Sequence, residues 1–267
     1  MDTERIERVP VHGLPLRGAL RVVSRGSGPA LVYLHGAGDS GALLPALHTL
    51  STSFRVIRPD HPGFLSGDDL GCRTIAELAL AHHRLLDVLE VDEFVLVGCS
   101  LGGWAAAELA LRIPERVRQL VLIDPAGLPG DGTAPDIFTL DAEEILKRTV
   151  HDEGSRAAAR AATPDETVRE GLARSLETAR RLAGDPYMHD PGLAARVSAL
   201  RMPVQLVWGQ DDGIIPLSYA SDWTAKIPGA RLHVIAQAGH LPHVEQPEEF
   251  LSAIALAESA GGAVQWS

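Results

Sequence analysis

The chain has 267 residues, 45% of them hydrophobic, and a formal net charge of −11 at pH 7. That length and apolar content suffice for a large core without a disulfide framework, and two cysteines point to a reducing compartment. The acidic balance argues against nucleic acid or an anionic membrane as partner, and no apolar run approaches the ~18 residues that span a bilayer.

Met1-Asp2-Thr3-Glu4-Arg5 is polar and mixed in charge, unlike a signal peptide, so the cytoplasm is the expected location. Strand-like runs follow at 20–23, 31–34 and 55–57, then a helical pattern over 74–89. The buried-strand pattern at 94–97 leads through a glycine-flanked turn into an alanine-rich helix at 104–110, and a further strand is expected at 120–123. Beyond Asp124 the strand rhythm stops until Pro203. A structureless insertion of roughly eighty residues is uncommon, so helical patterns at 142–148, 166–183 and 193–200 are read as a small helical cap. Strands resume at 204–208 and 232–235, and a last helix starts at Pro247, with proline and acids in its first turn. This alternation builds an α/β fold with a mostly parallel sheet and helices on both faces. Residues 1–125 and 200–267 form the expected core and 126–199 the cap.

The turn is Gly98-Cys99-Ser100-Leu101-Gly102. A strand reversing directly into a helix strains its turn residue and needs small neighbours, which Gly98 and Gly102 supply. The helix that follows aims its N–H groups and positive dipole end at the turn, favouring negative charge there. Ser100 is therefore a candidate nucleophile. A serine hydroxyl needs a base, and of 11 histidines His240 is favoured, because Gly239-His240 lies on a loop at the end of the 232–235 strand. His243 is the competitor, expected at the surface or in a supporting position. The base needs an acid, and Asp211 and Asp212, after the 204–208 strand, and Asp124, after the 120–123 strand, all qualify. Cys99 is expected to point into the fold as a small apolar residue, and Cys72 to be a loop thiol.

The elbow, the segment Gly209-Gln210-Asp211-Asp212-Gly213-Ile214-Ile215-Pro216 and Gly239-His240 occur in the order Ser, Asp, His. Together they resemble the alpha/beta-hydrolase superfamily, and His35-Gly36-Ala37-Gly38 and Asp60-His61-Pro62-Gly63-Phe64 are similar to two further loops of that family. The resemblance implies an eight-stranded alpha/beta-hydrolase fold with an inserted cap, and a triad of Ser100, Asp212 and His240. It also implies an oxyanion hole of the Ala37 and Leu101 N–H groups. Gly36, Gly38 and Tyr187 are expected near the substrate, with Met188 and His189 beside Tyr187. Arg148, Arg156 and Arg160 are expected mostly on a solvated face. Cys99 stands where His or Asn is common, and Gln210 where Arg is frequent among carbon–carbon bond hydrolases.

A serine at the elbow suits acyl transfer rather than epoxide opening or halide displacement. The expected function is cofactor-independent hydrolysis of an ester, thioester or lactone in a small apolar carbonyl substrate, with no metal and no other cofactor. Carbon–carbon cleavage of a vinylogous diketone is the alternative, followed by a biosynthetic acyl transferase or cyclase and a non-catalytic ligand-binding member. A homo-oligomer is left open.

Overall fold

In the computed structural model, which describes residues 3–13, 16–162 and 164–260, the first strands are β1 (Arg5–Gly13), β2 (Leu16–Arg25) and β3 (Ala30–Leu34). Met1 and Asp2 of the polar N-terminal segment lie outside the described residues. Next come α1 (Pro45–Leu50), β4 (Arg55–Pro59), α2 (Ile75–Val88), β5 (Phe94–Cys99), α3 (Leu101–Arg112) and β6 (Val117–Ile123). The helices α4 (Ala142–Thr149), α5 (Glu153–Ala161), α6 (Glu166–Ala183) and α7 (Leu193–Arg196) precede β7 (Val204–Gly209). The chain closes with α8 (Ala220–Lys226), β8 (Arg231–Ile235), α9 (Pro242–Glu245) and α10 (Pro247–Ala260).

The eight strands form one sheet in the order β1-β2-β4-β3-β5-β6-β7-β8. β2 pairs antiparallel with β1 and β4, and every other pairing is parallel. Central β5 is buried along its whole length, as its unbroken apolar run requires when both faces are covered. Leu34, Leu96 and Leu122 join the core with α2 and α3 on one face, while Tyr33, Val97 and Ile123 meet α1 and α10 on the other. Edge strand β1 was not expected, because only Val9 and Val11 are buried along it and Pro10 interrupts it. Proline is tolerated there because an edge strand spends only one side on the ladder.

Small residues set the closest approaches. A Cβ on Gly102 would stand 2.2 Å from the Leu34 carbonyl oxygen and 2.4 Å from that of His35. One on Gly98 would lie 2.3 Å from the Gly102 oxygen and 2.7 Å from the Ala106 Cβ. The start of α3 thus sits directly on the end of β3, which brings the loop after β3 to the elbow.

Between β6 and β7 the inserted helices are made locally. Asp141, Asp152 and Asp165 each cap a helix, accepting from the N–H of Glu144, Ser155 and Val168. Only α6 among α4, α5 and α6 buries residues: Ser175 Oγ accepts from the Leu65 N–H at 3.0 Å, and Thr178 Oγ1 donates to the Gly63 carbonyl at 2.8 Å. α5 lacks any buried residue and was not expected.

A buried histidine chain braces the loops after β3 and β4. His35 Nδ1 lies 2.7 Å from the Gly36 carbonyl and so carries its proton there, leaving Nε2 to accept from the His61 N–H at 3.0 Å. His61 Nε2 donates to the His35 carbonyl at 2.8 Å, which leaves its Nδ1 to accept from His82 Nε2 at 2.6 Å. The rings of His35 and His61 carry one proton each by this geometry, and a second would face a donor. Burial, first of all, holds all three histidines well below the usual imidazole range. His243 is likewise buried and brought down to about 4.

Two outcomes follow. Because these four pKa values are lower in the folded chain than in the unfolded one, the unfolded chain binds more protons, and stability falls as pH drops through about 6.5. For His243, brought down to about 4, the loss at pH 5 is about 2 kcal/mol, and the other three act in the same direction, so the thermal midpoint falls between pH 7 and 5, and H82Q shallows that slope. G102A is expected to cost about 2 kcal/mol or more in denaturant unfolding, since carbonyls of β3 occupy the space of its methyl.

Candidate active site

Ser100 follows the last residue of β5 and precedes α3 with φ 56° and ψ −122°, a left-handed conformation that costs a non-glycine residue about 1–3 kcal/mol. Its backbone is held on both sides. The N–H donates to the Ile123 carbonyl at 2.8 Å, and its own carbonyl accepts from Gly103, Trp104 and Ala126 at 2.9, 3.2 and 3.1 Å. The loop after β3 lies against it, for a Cβ on Gly36 would stand 3.4 Å from the Ser100 Cβ. A Cβ on Gly38 would meet nothing within 4 Å, so the far end of this loop borders open space. Among the described residues, neither the Ala37 nor the Leu101 N–H has an acceptor.

His240 and Asp212 are brought together: His240 Nδ1 donates to Asp212 Oδ2 at 2.7 Å, with both residues buried. The other oxygen of Asp212 accepts from the N–H groups of Ile214 and Ile215 at 2.7 and 2.9 Å, so three donors fix this carboxylate. Asp211 points elsewhere, to His151 at 2.9 Å on the surface. The two loops come this close because β7 ends in glycine: a Cβ on Gly209 would stand 1.8 Å from the Gly239 carbonyl oxygen. Among the described residues, the hydrogen bonds of Ser100 run through its backbone N–H and carbonyl.

The end of α4 lies on these loops. The carbonyl of Thr149 accepts from the His240 N–H at 2.7 Å, and that of Arg148 from the Gly213 N–H at 3.0 Å. Glu245 ties the same region together, one oxygen on the Gly239 N–H and the other on the His151 N–H, both at 2.7 Å.

Other candidates take different positions. Asp124 is fully buried at the end of β6 and accepts from the Gly209 N–H at 3.0 Å. His243 is not at the surface: its Nε2 lies 2.9 Å from the Tyr33 hydroxyl, beneath the loops, where the apolar face of α9 carries it inward. Cys99 is buried, and burial raises its thiol well above the usual range. Cys72, read as a loop thiol, is also buried and is pushed up to about 12, because Leu70 and Cys72 turn into the core beneath α6. The Tyr187 hydroxyl is spent on structure, accepting from the Ile137 N–H at 3.0 Å and donating to the Pro135 carbonyl at 2.8 Å. Arg160 pairs with Glu143 and Glu153, and Arg156 with Glu153, so these arginines answer neighbouring acids. Arg148 Nε faces Glu144 at 3.7 Å.

Donor atoms of Asp124, Asp212 and His240 lie within 4.8 Å of one another. With His240 Nδ1 donating to Asp212, that nitrogen has no lone pair for a metal ion, and Nε2 keeps the free one. A cavity of about 200 Å³ opens beside the site, lined by Ala126, Leu128, Met188, His189, Ile215 and Tyr219 among others. It is joined to the site by Ala126, whose N–H holds the Ser100 carbonyl, and Ile215, whose N–H holds Asp212. The ring of Tyr187 forms part of its wall. No helix among the described residues is long and apolar enough to cross a membrane.

Known proteins share this architecture. The chain is 30% identical, over 92% of its length and 95% of the relative's, to a pimeloyl-[acyl-carrier protein] methyl ester esterase of a Shewanella species. It is 28% identical to the 2-hydroxy-6-oxo-6-phenylhexa-2,4-dienoate hydrolase of Comamonas testosteroni, over 84% of this chain and 86% of that one. The solved 2-hydroxy-6-oxo-6-phenylhexa-2,4-dienoate hydrolase of a Rhodococcus species superposes with a TM-score of 0.78 at 22% identity, covering 97% of this chain and 100% of that chain. The sequence profile of the alpha/beta hydrolase family matches residues 31–253. With that match over most of its length, and with esterases and hydrolases as its relatives, the chain belongs to the alpha/beta hydrolase family and is a hydrolase.

Proposed function

We propose that this chain is a cofactor-independent serine hydrolase that cleaves an ester-type bond, a carboxylic ester, thioester or lactone, in a small and largely apolar substrate. The observation that carries this reading is the buried His240–Asp212 hydrogen bond at 2.7 Å, on loops that flank a serine held in a strained turn. His240 takes the Ser100 proton on Nε2 as Oγ attacks the carbonyl carbon. Asp212 keeps the imidazole in the tautomer with Nδ1 protonated and stabilises the imidazolium that forms. The Ala37 and Leu101 N–H groups receive the oxyanion, each worth ~3 kcal/mol in the transition state. The leaving group departs with the proton from His240. Water, deprotonated by the same ring, then attacks the acyl-enzyme and releases the acid.

The residues at 126–199 act in this reading as a lid over the pocket, tied to the His240 loop through Thr149. The cavity of about 200 Å³ lined by Ala126, Leu128, Met188 and Ile215 offers one side of the substrate a small, largely apolar berth. Cleavage of a carbon–carbon bond is a second reading, favoured by the likeness to dienoate hydrolases. Gln210, an exposed residue where such enzymes frequently carry Arg, leans the balance toward esters.

S100A is expected to lower kcat by about ten-thousand-fold in a chromogenic ester assay while the unfolding midpoint is kept. Across p-nitrophenyl esters of growing acyl length, kcat/KM is expected to be highest for short chains and to fall for long ones that outgrow the cavity. A dienoate turned over faster than every ester tested would replace the ester reading with the carbon–carbon one.

A further inference from the structure

Asp124 has no part in the scheme above, yet it is built into the same point. β6 and β7 are neighbours in the sheet, so Asp124, the first residue beyond β6, emerges beside the Gly209 that ends β7. Its φ of 42° is a second strained position at the site, and its N–H is fixed to the Val207 carbonyl at 3.0 Å. The side chain is thereby turned toward β7, where Oδ1 accepts from the Gly209 N–H at 3.0 Å. The remaining oxygen, Oδ2, is buried and receives no hydrogen bond.

Two carboxylates and an imidazole thus stand with donor atoms within 4.8 Å, cut off from solvent. Two like charges at that separation in a dry site cannot both persist, and one carboxyl must keep its proton. The hydrogen bonds say which. Asp212 receives three, two from backbone N–H groups and one from His240, whereas Asp124 receives one. An ionised carboxylate is stabilised by such donors, and a protonated one needs an acceptor, which Asp212 supplies. The titratable groups facing Asp124 are Asp212 on the loop after β7, Glu245 at the end of α9 and Cys99 at the end of β5, with His240 in the same cluster. Burial first, then the charge of Asp212, pushes Asp124 well above the usual carboxylate range.

We propose that Asp124 is the proton-bearing half of a buried acid pair, donating its carboxyl hydrogen to Asp212 and so positioning and moderating the carboxylate that faces His240. It is a positioning residue, since it acts through Asp212. The inference rests on the reading of Asp212 and His240 as acid and base. Drawing charge from Asp212 weakens that carboxylate's hold on an imidazolium, so the pair keeps His240 ready to give its proton up to the leaving group.

The test compares D124N, which replaces the carboxyl hydrogen by an amide hydrogen in the same shape, with D124A, which removes the donor. In D124N, kcat/KM for a p-nitrophenyl ester stays within about threefold of the parent and the acid limb of its pH profile does not move. In D124A the uncompensated Asp212 charge raises the basicity of His240, the acid limb moves up by about half a pH unit, and kcat/KM falls about tenfold. If D124N loses as much as D124A, Asp124 works as a charge and the proposal is wrong. It is equally wrong if both variants leave rate and pH limb untouched. Infrared spectroscopy at neutral pH gives a reading independent of activity and of the folding of D124A. The carbonyl stretch of a protonated carboxyl is expected in the parent and missing in D124N, and its absence from the parent overturns the assignment. A parent protein with that band but no ester turnover would leave the acid pair standing and refute the ester reading instead.

Discussion

Ser100 can occupy its strained turn only because the backbones around it come closer than side chains would permit. Gly98 lets the end of β5 lie against α3, and Gly102 lets α3 rest on the carbonyls that end β3. The approach has two effects at once. It lifts the serine out of the sheet at the start of a helix, where the N–H groups and dipole favour negative charge, and it sets the Gly36 loop within contact of the same side chain. The strain of about 1–3 kcal/mol at Ser100 is offset by four backbone hydrogen bonds that leave the residue no other conformation.

The second close approach, Gly209 against Gly239, works in the same way on the other side of the site. It brings the ends of β7 and β8 near enough for one carboxylate to hold one imidazole, and backbone N–H groups of Ile214 and Ile215 prevent that carboxylate from turning away. Because Thr149 and Arg148 of the inserted helices bond directly to these two loops, any movement of the insertion is felt by His240. Beneath the loops, the chain of His35, His61 and His82 supplies rigidity without charge. Its cost is a pH-sensitive core.

Much of the fold was legible because its strands are buried on both faces. Runs such as 94–97 and 204–208 are buried throughout and apolar but for Gln205, and each leads into a glycine, which also marks where the candidate site side chains leave the sheet. The helix α6 was readable over 166–183 from its helical pattern, although the face it buries carries Ser175 and Thr178. Strand β1 was not, since two inward residues and a proline give no alternation to detect, and α5 was not, since a helix that buries nothing needs no apolar period. Within the site, the order of elbow, acid loop and histidine loop could be read from motifs. The residues alone left Asp211, Asp212 and Asp124 open as the partner of His240, and only the resemblance singled out Asp212. Asp211 and Asp212 are separated only by which way the loop turns, Asp124 meets Asp212 only because β6 and β7 are adjacent, and His243 is drawn inward by the packing of α9.

The account stands on Ser100 forming a covalent bond to substrate. In an H240A variant the attack is slowed but the water step, which needs the same base, is slowed as well, so an activated ester should leave its acyl group on the enzyme. Mass spectrometry of the denatured protein after such a reaction measures this directly. The account predicts one added acyl mass, placed on Ser100 by fragmentation of the peptide that carries it. Turnover by the parent enzyme with no acyl mass on that peptide, or with the mass on Cys99 instead, would contradict it.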